Sequence, residues 1–461
     1  MSMCQKLRII AIILFAIPVS LLFFPCITFG VEEDPLKDMD LELMMEQSHD
    51  ISKTNTFALT GYLESRNQFR MKDIGNPVSL RQRLWLEGDL GHDWIRGFAS
   101  GYFDYDPAVR DWTDEKNELY YLQLNEAYLT VDTEKFDLIV GRKMMRWGTG
   151  DGINPMDLIN PRDYRDPISG GRSDTRVPIL LADGMFLIGS VTVVEGVIIP
   201  KPEVNKFSLP DSPWEPEGLR NLRRSAATGA IVLSPAEKPD NWFSDAEYAL
   251  RISTVWKGCD LALLYYNGYT DNPAFHRKYL ADGKIQFTPT YPHYQAYGLN
   301  FAKGFDRVTI RGELATKKDL LFSIDPDDKK YREDSDGLVG RNLYQGVIGI
   351  DRTFFTDLYT NFQFFADYIA DGQKSLVVKR KTHGIAFEIR DKFLDDDLSA
   401  GFRGSYFTSN DGSVIEIFAE YKIGDICQIA PGCLFFNGSL DSRLGQYRKN
   451  DMFYLRLRYS F

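Results

Sequence analysis

The chain has 461 residues, 44% of them hydrophobic and 13% aromatic, with 24 Tyr, 31 Phe and 37 Gly. Its formal net charge of −11 becomes more negative once the basic N-terminal segment is set aside, which argues against a nucleic-acid partner. An ordinary hydrophobic fraction joined to many aromatics fits strands that are apolar on one face only, with aromatic girdles at two interfaces.

The N-terminus reads as a targeting segment. Lys6 and Arg8 precede an apolar stretch from Ile9 to Phe24, and Thr28-Phe29-Gly30 leads into an acidic segment. These are the parts of a secretory signal peptide over 1–30, cleaved after Gly30. The competing reading is a membrane anchor, because the run approaches the length of a spanning helix. Cys26 follows Phe24-Pro25 and lacks the small residue that lipoprotein processing prefers. Residues 31–53 form an acidic arm, where Leu36 to Met45 carries the one helical periodicity. Cleavage removes Cys4 and Cys26 and leaves Cys259, Cys427 and Cys433, too few for a disulfide scaffold. Cys427 and Cys433 flank Pro431-Gly432. They can bridge if that pair is a turn, and are too far apart if both lie on one extended strand.

From residue 54 onward the dominant signal is alternation. The most apolar stretch, Met185 to Pro200, is interrupted by Gly189, Ser190, Glu195 and Gly196 and cannot be a spanning helix. Arg81, Arg83 and Glu87 alternate with Leu80, Leu84 and Leu86; Arg307, Thr309, Arg311 and Glu313 alternate with Val308, Ile310, Gly312 and Leu314. Asn361, Gln363 and Asp367 do so with Phe362, Phe364 and Ala366. Glu388 and Arg390 alternate with Ile385, Phe387 and Ile389, and Glu416 and Glu420 with Ile415, Ile417 and Ala419. The last strand sets Phe453, Leu455, Leu457, Tyr459 and Phe461 on one face against Met452, Tyr454, Arg456, Arg458 and Ser460 on the other. Such rows suit a strand with lipid outside and water inside. A terminal aromatic closing that strand resembles the signal by which barrel-assembly machinery recognises its clients.

Connections alternate between short and long. Short ones are Leu90 to Asp93, Asp132 to Lys135, Lys257-Gly258, Lys303 to Asp306, Phe354 to Thr356 and Lys392 to Asp396. Long ones are Pro107 to Lys116, Trp147 to Arg176, Lys201 to Asp245, Thr270 to Thr288 and Lys317 to Arg341. The expectation is all-β: a transmembrane antiparallel up-and-down β-barrel over 54–461, with short periplasmic turns and long external loops. The count is eighteen strands, with sixteen the other even solution if the Leu187 to Val191 turn or the Cys427 region fails. Outer-membrane lipid is the expected surroundings.

The densest polar constellation runs from Gly141-Arg142 through Arg146-Trp147-Gly148 and Asp151-Gly152-Ile153-Asn154-Pro155 to Asp157, Asn160, Arg162, Asp163 and Asp166. One reading folds this loop into the barrel and presents Arg142, Arg146, Asp151, Asp157, Arg162 and Asp163 to a constriction, where mixed charges sort permeants. The other is an external loop whose charges pair locally. Arg81, Arg83, Glu87, Arg251, Arg307, Arg311, Glu313, Glu388, Arg390, Arg403, Arg456 and Arg458 are expected to line the lumen wall.

Several of these stretches resemble a known group. Asn125-Glu126-Ala127-Tyr128-Leu129, Gly141-Arg142 to Trp147-Gly148, Asp151 to Pro155, Pro161-Arg162-Asp163-Tyr164, Val194 to Pro200 and Asn450-Asp451 to Phe461 look like porin-like outer-membrane proteins of undefined function, related in style to alginate-export barrels. The resemblance spans most of the mature chain and implies an architecture more than a substrate. It also implies a second role, beside a periplasmic or inner-membrane pump that moves lipids or other apolar molecules.

Enzyme signatures are missing: His49, His92, His276, His293 and His383 are scattered, with no zinc-spaced Cys/His cluster and no Gly-x-Ser-x-Gly. Asp325, Asp327, Asp328, Glu333, Asp334 and Asp336 read as a solvated acidic loop rather than a Ca²⁺ site. No cofactor is expected. The sequence thus points to a channel for diffusion of small solutes, with export of lipid, hydrophobic compounds or polysaccharide, or a plugged surface barrel, as alternatives.

Overall fold

The computed structural model describes residues 56–92, 94–111, 119–150, 153–167, 175–325, 336–372, 375–408, 412–440 and 442–461. The expected signal peptide, the acidic arm, Asp151 and the acidic positions Asp327, Asp328, Glu333 and Asp334 lie outside them.

The strands in chain order begin with β1 (Thr56–Arg70), β2 (Pro77–His92), β3 (Ile95–Tyr105), β4 (Tyr120–Asp132), β5 (Phe136–Lys143), β6 (Ile179–Ile188) and β7 (Thr192–Ile199). There follow β8 (Ile231–Leu233), β9 (Glu247–Trp256), β10 (Cys259–Tyr269), β11 (Ala274–Tyr279), β12 (Ile285–Thr290) and β13 (His293–Phe305). The chain continues with β14 (Val308–Ser323), β15 (Leu338–Phe354), β16 (Leu358–Ile369) and β17 (Lys381–Phe393). It ends with β18 (Leu398–Phe407), β19 (Gly412–Ile423), β20 (Cys427–Asn437) and β21 (Met452–Ser460). Setting aside β8, β11 and β12, each strand pairs with its successor, and β21 pairs antiparallel with β1. The result is a closed barrel of eighteen strands, the higher of the two expected counts.

Closure is what lipid demands, because an open sheet edge would leave backbone groups unsatisfied in hydrocarbon. The side chains report the same solvent. Leu59, Leu122, Leu124, Leu263, Ile348, Phe362 and Phe364 are exposed, whereas Glu64, Arg66, Asp183, Glu195, Arg311, Glu313 and Gln363 are buried. A water-soluble fold would place these residues the other way round; here the apolar rows meet lipid and the polar rows face the lumen.

Tight hairpins gather at the end where β1 begins and β21 ends. The β9–β10 turn, Lys257 and Gly258, has φ of 51° and 67°, the left-handed pair that matches the twist of flanking strands. Longer connections occupy the opposite end. The stretch between β10 and β13 carries its own hairpin, β11–β12, which β8 extends in parallel.

Four sequence expectations need correction. β2 runs through Leu90 to His92, so its turn falls later than expected. The Lys317 to Arg341 loop is shorter, because β14 continues to Ser323 and β15 starts at Leu338. The Thr270 to Thr288 connection is largely strand rather than open loop. Pro431-Gly432 is not a turn but the interior of β20, at a gap in the ladder with β19 between Phe418↔Gly432 and Tyr421↔Ile429, across which the register is kept. Proline offers no N–H there, and the ladder to β19 is interrupted at its position. Cys427 and Cys433 therefore sit six residues apart on one extended strand, roughly 20 Å at strand rise, and both are free.

Two outcomes follow. Alkylation of denatured protein without reductant labels Cys259, Cys427 and Cys433, and reductant leaves the labelling unchanged; protection of Cys427 and Cys433 together would show a bridge. Phe364, 49% exposed near the middle of β16, meets lipid, so Phe364→Arg lowers stability in vesicles by roughly 2–4 kcal/mol. The same change at Phe355, in the β15–β16 turn, costs about 0–1 kcal/mol. Equal costs in urea titrations would contradict the placement of the lipid belt.

Candidate functional site

The segment after β5 turns into the barrel. Met145, Trp147, Met156, Leu158 and Ile159 pack on inward residues of five wall strands, Ile179 and Leu181 of β6, Val197 and Ile199 of β7, Ala249 of β9, Leu264 and Tyr266 of β10, and Tyr294 and Ala296 of β13. This is a conventional apolar core placed inside a lumen. It glues the loop to one side of the wall.

Polar contacts fix the loop's height. Trp147 Nε1 donates to Glu195 Oε1 at 2.9 Å. Glu313 on β14, 1% exposed, accepts from the backbone N–H groups of Thr149 and Gly150 at 2.6 and 2.5 Å, and of Met156 at 3.2 Å. Arg311, two residues away on the same face, ion-pairs with Asp351 and donates to Thr149 O at 3.0 Å. The close approach needs glycine: a Cβ on Gly148, whose φ is +88°, would lie 2.7 Å from Glu313 Oε1 and 2.3 Å from Asn154 Oδ1. Asn160 accepts from Met145 N at 2.6 Å and donates to Val177 O at 2.9 Å, tying the two ends of the loop together.

The expected constriction residues are divided by this geometry. Asp157 is clamped inside the loop by Arg162 and, at 2.6 Å, by Arg176. Asp163 takes Arg165 at 2.6 Å; burial works against its charge, but Arg165 outweighs it and holds the carboxyl below its ordinary value. Arg146 is half-buried beside Trp147. Arg142 shares the strand parity of the outward-facing Val140 and pairs with Glu203 at 2.5 Å, so it stands outside the lumen. Most of these charges pair within the loop or beside it, as in the local-pairing reading.

On the wall the inward row holds Arg83 with Asp104 at 2.7 Å, Arg251 with Glu195 at 2.8 Å, and Arg403 with Glu416 at 2.6 Å. Arg456 meets Glu420 at 2.7 Å, Arg458 meets Glu64 at 2.8 Å, and Arg390 stands 3.7 Å from Glu388. Glu87 accepts from Thr60 Oγ1 and Trp85 Nε1. Arg307 is a correction: it precedes β14 in the turn and donates to Phe355 O, so it caps the rim and not the wall. Phe453, Leu455, Leu457, Tyr459 and Phe461 form the outward row of the closing strand, and Phe461 exchanges backbone hydrogen bonds of 2.9 Å with Gly61.

Sequence reasoning missed Arg66, Arg165, Arg176 and Glu195. Arg66 stood in plain alternation with Glu64 and Gln68, a signal as clear as that of Arg81. It also passed over the meeting point of loop and wall, where Asp166 lies 3.6 Å from Arg66 and 3.7 Å from Arg81.

Glu313→Ala removes the charged acceptor of backbone donors in the loop, a loss of roughly 2–3 kcal/mol for bonds to a charged group. Limited proteolysis of the variant cuts within residues 144–178, where the parent resists. Equal resistance would show that the apolar contacts alone hold the loop.

No protein-family model matches the chain, and no curated protein does. Solved structures do match. OccAB1 of Acinetobacter baumannii is 10% identical with a TM-score of 0.50, over 90% of this chain and 98% of that one. OccK9 (OpdG) of Pseudomonas aeruginosa is likewise 10% identical with a TM-score of 0.50, over 89% and 98%. The outer membrane channel DcaP of Acinetobacter baumannii is 10% identical with a TM-score of 0.42, over 88% and 98%. At such identities the likeness is one of fold, and that fold is the outer-membrane porin-like barrel.

Proposed function

We propose that this barrel is a passive outer-membrane channel for small water-soluble solutes, its bore set by the loop between β5 and β6. The observation that carries the reading is the inward fold of that loop. It is glued to the β5–β13 side of the wall by an apolar core and bonded to Glu313, while the wall of β1, β2 and β17 to β21 keeps a row of ion-paired arginines. A loop held this way narrows a pore without depending on the charge of the permeant, and the facing charges supply a polar path.

Against export of lipid or hydrophobic compounds, and the pump partner that goes with it, stands the character of that wall. Desolvating an apolar cargo beside Arg83, Arg403, Arg456 and Arg458 gains nothing and separates no charge from its partner. Export of the chain by its N-terminal signal, and recognition of the Phe453 to Phe461 row by assembly machinery, complete the proposal.

Single-channel recording of the refolded chain from residue 31 onward tests it. Stable open steps are expected, and Glu313→Ala gives larger or noisier steps because the loop is no longer pinned. A barrel that inserts correctly and carries no current would sink the channel reading.

A further inference from the structure

The lipid face of the barrel is not evenly charged at its outer end. Outward side chains near the outer ends of most strands are neutral, among them Asn67, Gln82, Tyr105, Leu122, Tyr269 and Phe453. Arg142 on β5 is neutralised by Glu203 at 2.5 Å. The arc from β14 to β17 differs. Lys318 shares the outward parity of Leu314, and Lys381 that of Ile385; both lysines are exposed. Lys379 and Arg380 adjoin Lys381 in the chain. At this level, among the described residues, the arc holds two carboxylates: Asp371, which Arg380 takes at 3.1 Å, and Asp319, which is exposed. Farther out, Asp336 is taken by His276 at 2.6 Å.

The height of the arc matches a lipid headgroup. Lys318 is the tenth residue beyond Val308, and Tyr344 and Tyr368 are each ten residues from the periplasmic ends of their strands at Phe354 and Leu358. A tilted strand of about 9–11 residues crosses the hydrocarbon, so these side chains stand at its outer boundary. Tyr344 and Tyr368 stack there with ring centres 6.2 Å apart, on the two strands between the lysines. Lys381 Nζ lies 5.9 Å from the Tyr368 ring, and Lys318 Nζ 4.8 Å from the Tyr297 ring. A bulge aims Lys318. The ladder of β14 with β15 stops at Lys317↔Leu343 and resumes at Leu320↔Arg341, so Lys318 and Asp319 oppose Asn342 alone. Asp319 takes a φ of 56° and donates its N–H to Asn342 Oδ1 at 3.2 Å. Bulges re-aim side chains, and a non-glycine residue at positive φ is a local cost that the surroundings must hold.

We infer that the outward face of β14 to β17 seats a phosphorylated glycolipid of the outer leaflet, one that carries two phosphates on a disaccharide. Lys318 takes one phosphate and Lys381 the other. Their strands are three strand spacings apart, roughly 14 Å, so a single phosphate cannot serve both, whereas phosphates at the two ends of a disaccharide can. The stacked tyrosines offer the sugars a flat face between the two cations. Leu314, Ile348 and Phe364, exposed one level below, meet the acyl chains. A chain with a net charge of −11 is repelled by an anionic leaflet as a whole, so a local arc of cations decides which side of the barrel such a lipid adjoins. The lysines point away from the lumen, so the seat is independent of the channel reading.

Native mass spectrometry of the detergent-refolded chain from residue 31 onward, with bis-phosphorylated lipid A added, tests the seat. The barrel retains the lipid, and Lys318→Gln combined with Lys381→Gln weakens it about tenfold. Lys303→Gln, at an outward lysine near the periplasmic end of β13, leaves binding unchanged. Lipid A with a single phosphate binds about tenfold more weakly than the bis-phosphorylated form. Inorganic pyrophosphate in large excess does not displace the lipid, because it lacks the sugar and acyl contacts. All three substitutions are on the surface, and the mobility of unheated protein in gels shows that each barrel is folded. Equal binding by the double variant and the parent overturns the inference, as does an equal loss in Lys303→Gln. So does equal binding of the two lipids, or displacement by pyrophosphate, which would mark a site for free phosphate. Current through the lumen enters none of these readouts, so a silent barrel that holds lipid A in this pattern would sink the channel reading alone.

Discussion

The pairing of β21 with β1 is the contact on which the rest of this molecule depends. In hydrocarbon no water is available to a free strand edge, and each unsatisfied backbone group costs several kcal/mol. The nine-residue register from Tyr62↔Ser460 to Arg70↔Met452, finished by Gly61 and Phe461, removes the last edge. Closure also dictates what lies on the seam. Once Leu455, Leu457 and Tyr459 must face lipid, their neighbours Arg456 and Arg458 must face inward, against Arg66 and Glu64. The crowding of guanidinium groups at the seam follows from a register that cannot slip by one residue without driving arginine into lipid.

A barrel closed in this way has a lumen wide enough to need filling, and the loop after β5 does the filling with two different kinds of contact. Its apolar residues build a small core against β6, β7, β9, β10 and β13, which is indifferent to ions. Its polar contacts, Trp147 to Glu195 and the backbone donors to Glu313, set position and not bulk. The loop is therefore anchored by an apolar core on one side and by polar contacts on the other, through Asp166 beside Arg66 and Arg81 and Arg165 over the Tyr121 ring. That asymmetry gives the loop an apolar side and a charged side.

Much of this architecture could be read from residues in order. Alternation gave the inward and outward rows of β2, β14, β16 and β21, because a strand between lipid and water must obey a period of two whatever its neighbours are. Turn chemistry located Lys257-Gly258 and the region near Asp306. Pro431-Gly432 misled, because a dipeptide that usually marks a turn was absorbed within β20 at a gap in its ladder with β19. The loop was harder still. Its composition announced a turn-rich polar segment, yet whether Asp157 faces a pore or a neighbouring arginine depends on Arg176, nineteen residues later, and no local pattern carries that. Arg142 failed for a related reason: its place in the polar stretch leading into the loop suggested participation, but strand parity with Val140 puts it on the far side of the wall.

The net charge of −11 shows the limit of whole-chain arguments. A field inside a lumen is set by the few charges that face it and by how their partners are spent, not by the sum over the chain. Along the seam carboxylates are shared between arginines: Glu64 takes Arg458 at 2.8 Å and lies 3.8 Å from Arg66, and Asp166 lies 3.6 and 3.7 Å from Arg66 and Arg81. Charges on a low-dielectric wall are screened less than those outside, so the lumen's field depends on the seam more than on the surface charge. The same register that closes the barrel thus fixes where the charges of the lumen stand.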